Sequence, residues 1–171
     1  MRVLIYGVGG VGGFLGAHLQ KANFDVTYVA RGKRLEFLKS NGLILKSKLG
    51  NEELNSIKVF DSIPEKNNFD IIISTVKLYD FDNFIFEIKK VGIRNSILLP
   101  FQNGIYSEQK IVKDFGNLNA YGAVAQISSF VDKNQQIIHK GILASFFVGH
   151  MQRKNNKILK SFCKKCESLN I

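Results

Sequence analysis

An α/β architecture, a doubly wound and mostly parallel sheet with an antiparallel extension at its C-terminal end, is predicted by three features of this chain. Short strands rich in β-branched residues alternate with longer segments of helical periodicity. A glycine-rich turn joins the first strand to the first helix. The segment "DIIISTV" is a continuous apolar run, the pattern of a strand covered on both faces of a parallel sheet. At 171 residues, 45% hydrophobic and 22% charged, the chain can bury a core and is too apolar for wholesale disorder. No internal repeat or low-complexity linker divides it, so residues 1–171 read as one domain.

The elements follow in order. "RVLIY" is a short strand, and "GFLGAHLQKA" is a helix with Phe14, Leu15, His18 and Leu19 at helical spacing. "DVTYVA" is the second strand, and "KRLEFLKSNG" is a helix closed by Asn41-Gly42. "LILKS" and "SIKVF" read as short extended pieces at an edge. After the buried strand "DIIISTV", "YDFDNFIFEIKKVG" places Phe81, Phe84, Ile85 and Ile88 on one helical face, with Asp80 and Asp82 complementing the dipole at its start. "SILLPF" is a strand leading into Gln102-Asn103-Gly104, and "SEQKIVKDFG" resumes helix. "NAYGAVAQISSFV" is extended, "DKNQ" turns, and "QIIHK" and "ASFFVG" return as antiparallel strands. The last element, "RKNNKILKSFCKKCESLN", is an amphipathic helix with Ile158, Phe162, Cys166 and Leu169 on one stripe.

Gly7-Val8-Gly9-Gly10-Val11-Gly12 is a G-x-G-x-x-G pattern set between a strand and a helix. In that setting Gly7 permits the tight turn, Gly9 lets a pyrophosphate approach the backbone, and Gly12 allows helix and strand to pack closely. The anion would sit at the helix N-terminus, where unpaired N–H groups and the helix dipole favour negative charge. Gly13 and Gly16 ease helix packing. The pattern predicts a Rossmann-like dinucleotide site. NAD-specific sites carry a carboxylate about twenty residues past the glycines, to hold the ribose hydroxyls. Here that place reads Val29-Ala30-Arg31-Gly32-Lys33-Arg34, with no acid. A guanidinium can fork onto a 2′-phosphate, so Arg31 selects NADP(H) as cofactor; the competing reading makes Arg31 and Lys33 solvated residues at a helix start.

Charge and cysteine content exclude other classes. The net charge is +10, about half of it in residues 151–171, where Arg153, Lys154, Lys157, Lys160, Lys164 and Lys165 face Glu167 alone. The rest is scattered, with no sustained basic run or aromatic ladder, which argues against nucleic acid as a partner. The first apolar run ends at Gly7, too short for a membrane span or a secretory segment, and no membrane partner is expected. Two cysteines, Cys163 and Cys166, are too close in sequence for a disulfide framework and suit a reducing, cytoplasmic compartment. Zinc needs four ligands and no second pair exists, so no metal is expected, and Cys166 reads as core. His18 and His139 read as structural.

"VLIYGVGGVGGFLGAHL", "VAR", "STVKLYD" and "LLPFQNGIYSEQKI", in this order, resemble the N-terminal NADP-binding domain of ketopantoate reductase (2-dehydropantoate 2-reductase), and "IIHKGILASFFVG" fits its later strands. The resemblance covers essentially the whole chain. It implies transfer of hydride from NADPH to the C2 ketone of ketopantoate, giving pantoate for pantothenate and coenzyme A synthesis. It also implies that Lys77 lies beside the nicotinamide and the 2-keto acid substrate, that Asn103 contacts cofactor and substrate, and that Ala125 and Gln126 run near the cofactor. Gly104 would allow the turn into the next helix. The family's helical C-terminal domain, which supplies a general-acid lysine and a substrate-binding glutamate, has no counterpart before the chain stops at "CESLNI". No catalytic residue is therefore assigned, and the chain is expected to bind cofactor while turning over poorly or not at all. Apolar surface left by a missing domain would favour a homo-oligomer. The alternatives are a stand-alone, non-catalytic NADPH-binding or regulatory module, and a reductase of another 2-keto acid. Downstream coding sequence distinguishes an enzyme fragment from a module.

Overall fold

The computed structural model describes residues 1–65, 68–93, 95–117, 121–152 and 155–167. Strands β1 (Arg2–Tyr6), β2 (Asp25–Val29), β5 (Lys58–Phe60), β6 (Ile71–Ser74) and β7 (Ile97–Pro100) form one sheet in the order β5-β2-β1-β6-β7. Every pairing in it is parallel, with Leu4 aligned to Thr27 on one side and to Ile72 on the other. The switch point falls between β1 and β6, so the sheet is doubly wound as predicted.

Side-chain alternation explains how both faces are covered. Val3, Ile5, Ile71, Ile73, Ile97 and Leu99 join one core, and Leu4, Tyr6, Ile72 and Leu98 join the other. Successive residues of a strand point to opposite faces, so a strand buried on both sides has no polar position to alternate with. The second face is closed by α3 (Phe81–Val91), whose Phe81, Phe84, Ile85 and Ile88 are all buried as the helical spacing predicts, and by Ile111 of α4 (Tyr106–Phe115). The first face is closed by α1 (Gly10–Lys21) and by a second layer of strands. Helix α2 (Gly32–Asn41) contributes Leu38 to this core.

That second layer is a four-stranded mixed sheet, order β4-β3-β9-β8, built from β3 (Leu43–Ser47), β4 (Glu52–Leu54), β8 (Tyr121–Val131) and β9 (Ile137–His150). The predicted antiparallel extension is the β8–β9 hairpin. "SIKVF" supplies the edge strand β5, as expected, but "LILKS" is not an edge piece. As β3 it lies between β4 and β9, pairing antiparallel with one and parallel with the other. Its partner is more than ninety residues away, which no local pattern reports. "QIIHK" and "ASFFVG" are one strand, β9. Its pairing with β8 runs from Tyr121–His150 to Ile127–Ala144 and resumes at Ser128–Lys140, so Gly141, Ile142 and Leu143 bulge out. His139 closes the bulge: Nε2 donates to the Leu143 carbonyl at 3.0 Å, and Nδ1 is 2.8 Å from Ser47 Oγ. The structural reading of His139 fits this arrangement.

Helix α5 (Lys157–Glu167) lays Leu159, Phe162 and Cys166 on the first core. Ile158 is 39% exposed, so Leu159 takes the place predicted for it. Phe162, whose ring meets Phe24 edge-on at 5.5 Å, and Cys166 keep their predicted places, so the buried stripe differs only at its start. Leu169, at the far end of the predicted stripe, lies outside the described residues, as do Arg153, Lys154 and the start of "NAYGAV" at Asn119 and Ala120. No helix among the described residues is long and apolar enough to cross a membrane.

Phe84 is 1% exposed and its ring packs 5.0 Å from that of Tyr6 and 5.3 Å from that of Phe81, whereas Phe86 on the same helix is 63% exposed. Phe84→Ala should destabilise the fold by about 3–5 kcal/mol, and Phe86→Ala by roughly 0.5 kcal/mol or less, measured by denaturant unfolding.

Candidate functional site

The glycine turn lies at the carboxyl end of β1, pressed against the end of β6. Gly7 has φ +100°, and a Cβ there would fall 2.8 Å from Val76 Cγ1 and 2.9 Å from the Val76 nitrogen. Its N–H donates to the Val29 carbonyl at 3.0 Å, tying the turn to the end of β2. At Gly12 a Cβ would fall 2.1 Å from the Gly7 carbonyl oxygen and 2.2 Å from Thr75 Oγ1, so helix and strand approach as closely as backbones allow. Thr75 Oγ1 donates to that same carbonyl. Around Gly9, by contrast, a Cβ would meet nothing within 4 Å. Helix α1 starts there with no acidic residue in its first turn and no side-chain cap, leaving its first N–H groups for an anion.

The neighbouring positions also have tasks. Val8 is buried in the first core, and Gly13 and Gly16 accommodate Ile137 and the Tyr28 ring. Gly10 carries a constraint that the sequence reading did not assign: a Cβ there would fall 2.2 Å from the Ser129 carbonyl oxygen of β8. Ser129 Oγ donates to the Gly10 carbonyl at 3.0 Å, so the second sheet is fastened to the first turn of α1.

Two clefts flank this turn and share Val76 in their walls. The first, about 460 Å³, is lined by Gly7, Gly9, Ala30, Arg31, Arg34 and Asp132 among others. Arg31 donates from Nη2 to Tyr6 Oη and to Glu87 Oε1, and its guanidinium carbon lies 5.6 Å from the centre of the Tyr6 ring. The Tyr6 hydroxyl donates to Glu87 Oε1 at 2.6 Å, and Glu87 Oε2 accepts the Ile63 N–H at 3.1 Å. Burial, and then the Glu87 carboxylate, push the Tyr6 phenol well above its ordinary pKa, so it stays a donor. An acid therefore stands beside Arg31 after all, brought by α3 from 56 residues away.

Arg34 is a second guanidinium in this wall that the sequence reading passed over. Its Nε donates to the Val8 carbonyl at 2.8 Å, its Nη1 donates to the Gln135 carbonyl, and its Nη2 is buried without a hydrogen-bond partner among the described residues. Burial pulls its pKa down to about 10, with Asp132 opposing. The residue links α2, the glycine turn and the β8–β9 turn. Its only sequence signal was the density of cations after β2.

The second cleft, about 570 Å³, brings together Lys77, Asn103, Gly104 and Ala125, the residues singled out from distant parts of the sequence. Lys77 follows β6, is exposed, and forms no ion pair among the described residues. Gly104 has φ +84°, which lets the chain leave β7, pass Asn103 and enter α4. Gln102 holds the two strand ends together: Nε2 donates to the Ser74 and Val76 carbonyls at 3.2 and 2.9 Å and to Ser74 Oγ at 3.1 Å. Gln126 is not among the residues that line this cleft, although Val124, Ala125 and Ile127 of the same strand are. Glu108, unremarked in the sequence, does line it and is 6% exposed.

The cysteines stand apart from both clefts. Both are free; Cys166 is buried in the first core, and burial pushes its thiol up to about 12. Its assignment to the core holds.

Fold and site together define a Rossmann-type α/β domain with its binding clefts at the carboxyl ends of parallel strands. The chain belongs to the ketopantoate reductase family, whose model, ketopantoate reductase PanE/ApbA, matches residues 3–153. A 2-dehydropantoate 2-reductase from Archaeoglobus fulgidus is 39% identical over 127 residues, covering 71% of this chain and 40% of that protein. The uncharacterized oxidoreductase YkpB from Bacillus subtilis is 29% identical over 161 residues, covering 94% of this chain and 52% of that protein. The crystal structure of 2-dehydropantoate 2-reductase from Geobacter metallireducens superposes with a TM-score of 0.89 at 22% identity, over 100% of this chain and 56% of that one. The chain thus spans about half the length of the relatives it matches.

Glycine substitutions should separate the roles within the turn. Gly12→Ala should destabilise the fold by about 2–4 kcal/mol, since its methyl would enter the Gly7 and Thr75 contacts. Gly9→Ala should change stability by less than about 1 kcal/mol. Denaturant unfolding of both variants checks this.

Proposed function

We propose that this chain binds NADPH and forms the cofactor half of a ketopantoate reductase-like oxidoreductase, with residues 1–171 as one dinucleotide-binding domain. One observation carries the reading. Lys77, Asn103 and Ala125 line a single cleft that shares Val76 with the cleft of Gly9 and Arg31, so an extended ligand crossing the glycine turn would touch both.

The residues fit a dinucleotide. The open side of Gly9 and the uncapped start of α1 suit a pyrophosphate. Arg31 and the unpartnered Nη2 of Arg34 offer guanidinium donors to a 2′-phosphate. Lys77 then places a cation where a 2-keto acid would bring its carboxylate, and Asn103 offers an amide beside the ketone. Bound NADPH would supply the hydride that turns a C2 ketone into an alcohol. The proposal gives none of these residues the proton-donating role. Residence in a reducing, cytoplasmic compartment accords with the two free cysteines.

A second reading, reduction of a different 2-keto acid with NADH, is favoured by the Glu87 carboxylate already held on Arg31. A 2′-phosphate must share or displace that partner, whereas a ribose hydroxyl need not.

Titration with NADPH and NADH, followed by nicotinamide fluorescence, separates the two. Under the first reading NADPH binds more tightly, and Arg31→Ala weakens it roughly tenfold to a hundredfold while changing NADH affinity by about twofold or less. Tighter NADH binding, indifferent to Arg31→Ala, would favour the second. Binding of neither would refute both.

A further inference from the structure

The second cleft contains a carboxyl group that the cofactor reading leaves without a task. Glu108 is the third residue of α4 and only 6% exposed. The backbone N–H groups of Glu108 itself and of Ala123 reach its carboxyl group. They leave Oε2 buried with no hydrogen-bond partner among the described residues. Burial raises its pKa against the pull of those two N–H groups, and in either protonation state the carboxyl keeps an acceptor lone pair. Gln102, 8% exposed in the same wall, repeats the pattern: Nε2 is spent on Ser74 and Val76, and Oε1 is buried without a donor.

Buried acceptors of this kind are costly unless a ligand satisfies them, and the chemistry of that ligand follows from what they lack. Two acceptors call for N–H or O–H donors. A carboxylate brings none and would be repelled by an ionised Glu108; its natural place in this cleft is near Lys77. A ribose hydroxyl brings one donor. A primary carboxamide brings two on one nitrogen.

Resting on the reading of this cleft as the nicotinamide end, we propose that Glu108, together with Gln102, binds the NH2 group of the nicotinamide carboxamide and so fixes the ring's orientation. Glu108 is then a cofactor-binding residue that selects the carboxamide, not only a link between α4 and β8.

The test compares three ligands: the reduced cofactor that binds more tightly, NADPH or NADH; its 3-acetylpyridine analogue, which replaces the NH2 by a methyl group; and the matching ADP-ribose, with or without the 2′-phosphate, which lacks the ring. Each is titrated into the wild-type chain, Glu108→Ala, Glu108→Gln and the volume-conserving Glu108→Met, and binding is followed by calorimetry. Glu108→Ala and Glu108→Met should each weaken the reduced cofactor about tenfold. Both should leave the analogue and the ADP-ribose within about twofold, and Glu108→Gln, which retains an acceptor oxygen, should recover most of the loss. Retained ADP-ribose binding shows that a variant is folded, and Glu108→Met carries the test if Glu108→Ala is not. Equal loss for all three ligands would reduce Glu108 to a structural link or a contact of the shared ribose and overturn the proposal. Equal loss for cofactor and analogue alone would assign Glu108 to the part of the ring that the two share and not to the NH2 group, and would also overturn it, and so would no loss for any. In each of those cases wild-type binding leaves the cofactor reading standing; failure of the wild-type chain to bind any of the three refutes both.

Discussion

The turn between β1 and α1 constrains the rest of the molecule because it brings a helix against two strands at residues that carry no side chain of their own. Gly12 lies against the Gly7 carbonyl and Thr75, and Gly7 lies against Val76. Backbone contact at these distances leaves one relative placement of α1, β1 and β6. The helix start is thereby held over the carboxyl ends of the parallel strands, where N–H groups without intrahelical partners face the clefts. The cost is conformational, since glycine loses more freedom on folding than other residues. Burial of Val3, Leu4, Ile5 and Tyr6 on both faces of β1 offsets it.

The second sheet completes what the first one starts. Ser129 of β8 clasps the first turn of α1, Arg34 ties the glycine turn to the β8–β9 turn, and Ala123 and Ala125 wall the second cleft. Without the hairpin, the strand ends and the glycine turn would form an open shelf. With it, they become two clefts joined at Val76. The hairpin in turn depends on β3, which pairs with β9, and on His139, which connects Ser47 to the bulge at Leu143.

Charge is distributed unevenly between the clefts. The first holds its cations in networks: Arg31 with Glu87 and Tyr6, Arg34 with two backbone carbonyls. Partners that orient a guanidinium also compete for it, so the affinity of this wall for a phosphate is a difference between two sets of charge-assisted bonds. Among the described residues, the second cleft keeps an unpaired cation, Lys77, at its exposed rim and unpaired acceptors at Gln102 and Glu108 within. Opposite needs in one cleft suit a ligand pair that brings an anion to one end and N–H donors to the other.

The sequence by itself determined the elements of the parallel sheet, the turn at Gly7, the close packing at Gly12 and the helical face of Phe81, Phe84, Ile85 and Ile88. These depend on local periodicity and on turn geometry, which a short stretch of chain carries in full. Resemblance added Lys77, Asn103 and Ala125, and the fold brings them to one cleft. Only the tertiary structure decided that "LILKS" lies inside a second sheet, that Leu159 and not Ile158 faces the core, and that Gly10 must admit β8. It alone placed Glu87 on Arg31, Arg34 across the turn, and Glu108 and Gln102 as unsatisfied acceptors. The physical reason is the same in each case: these properties belong to pairs of groups far apart in the chain, and burial and partnership exist only once the intervening chain has packed.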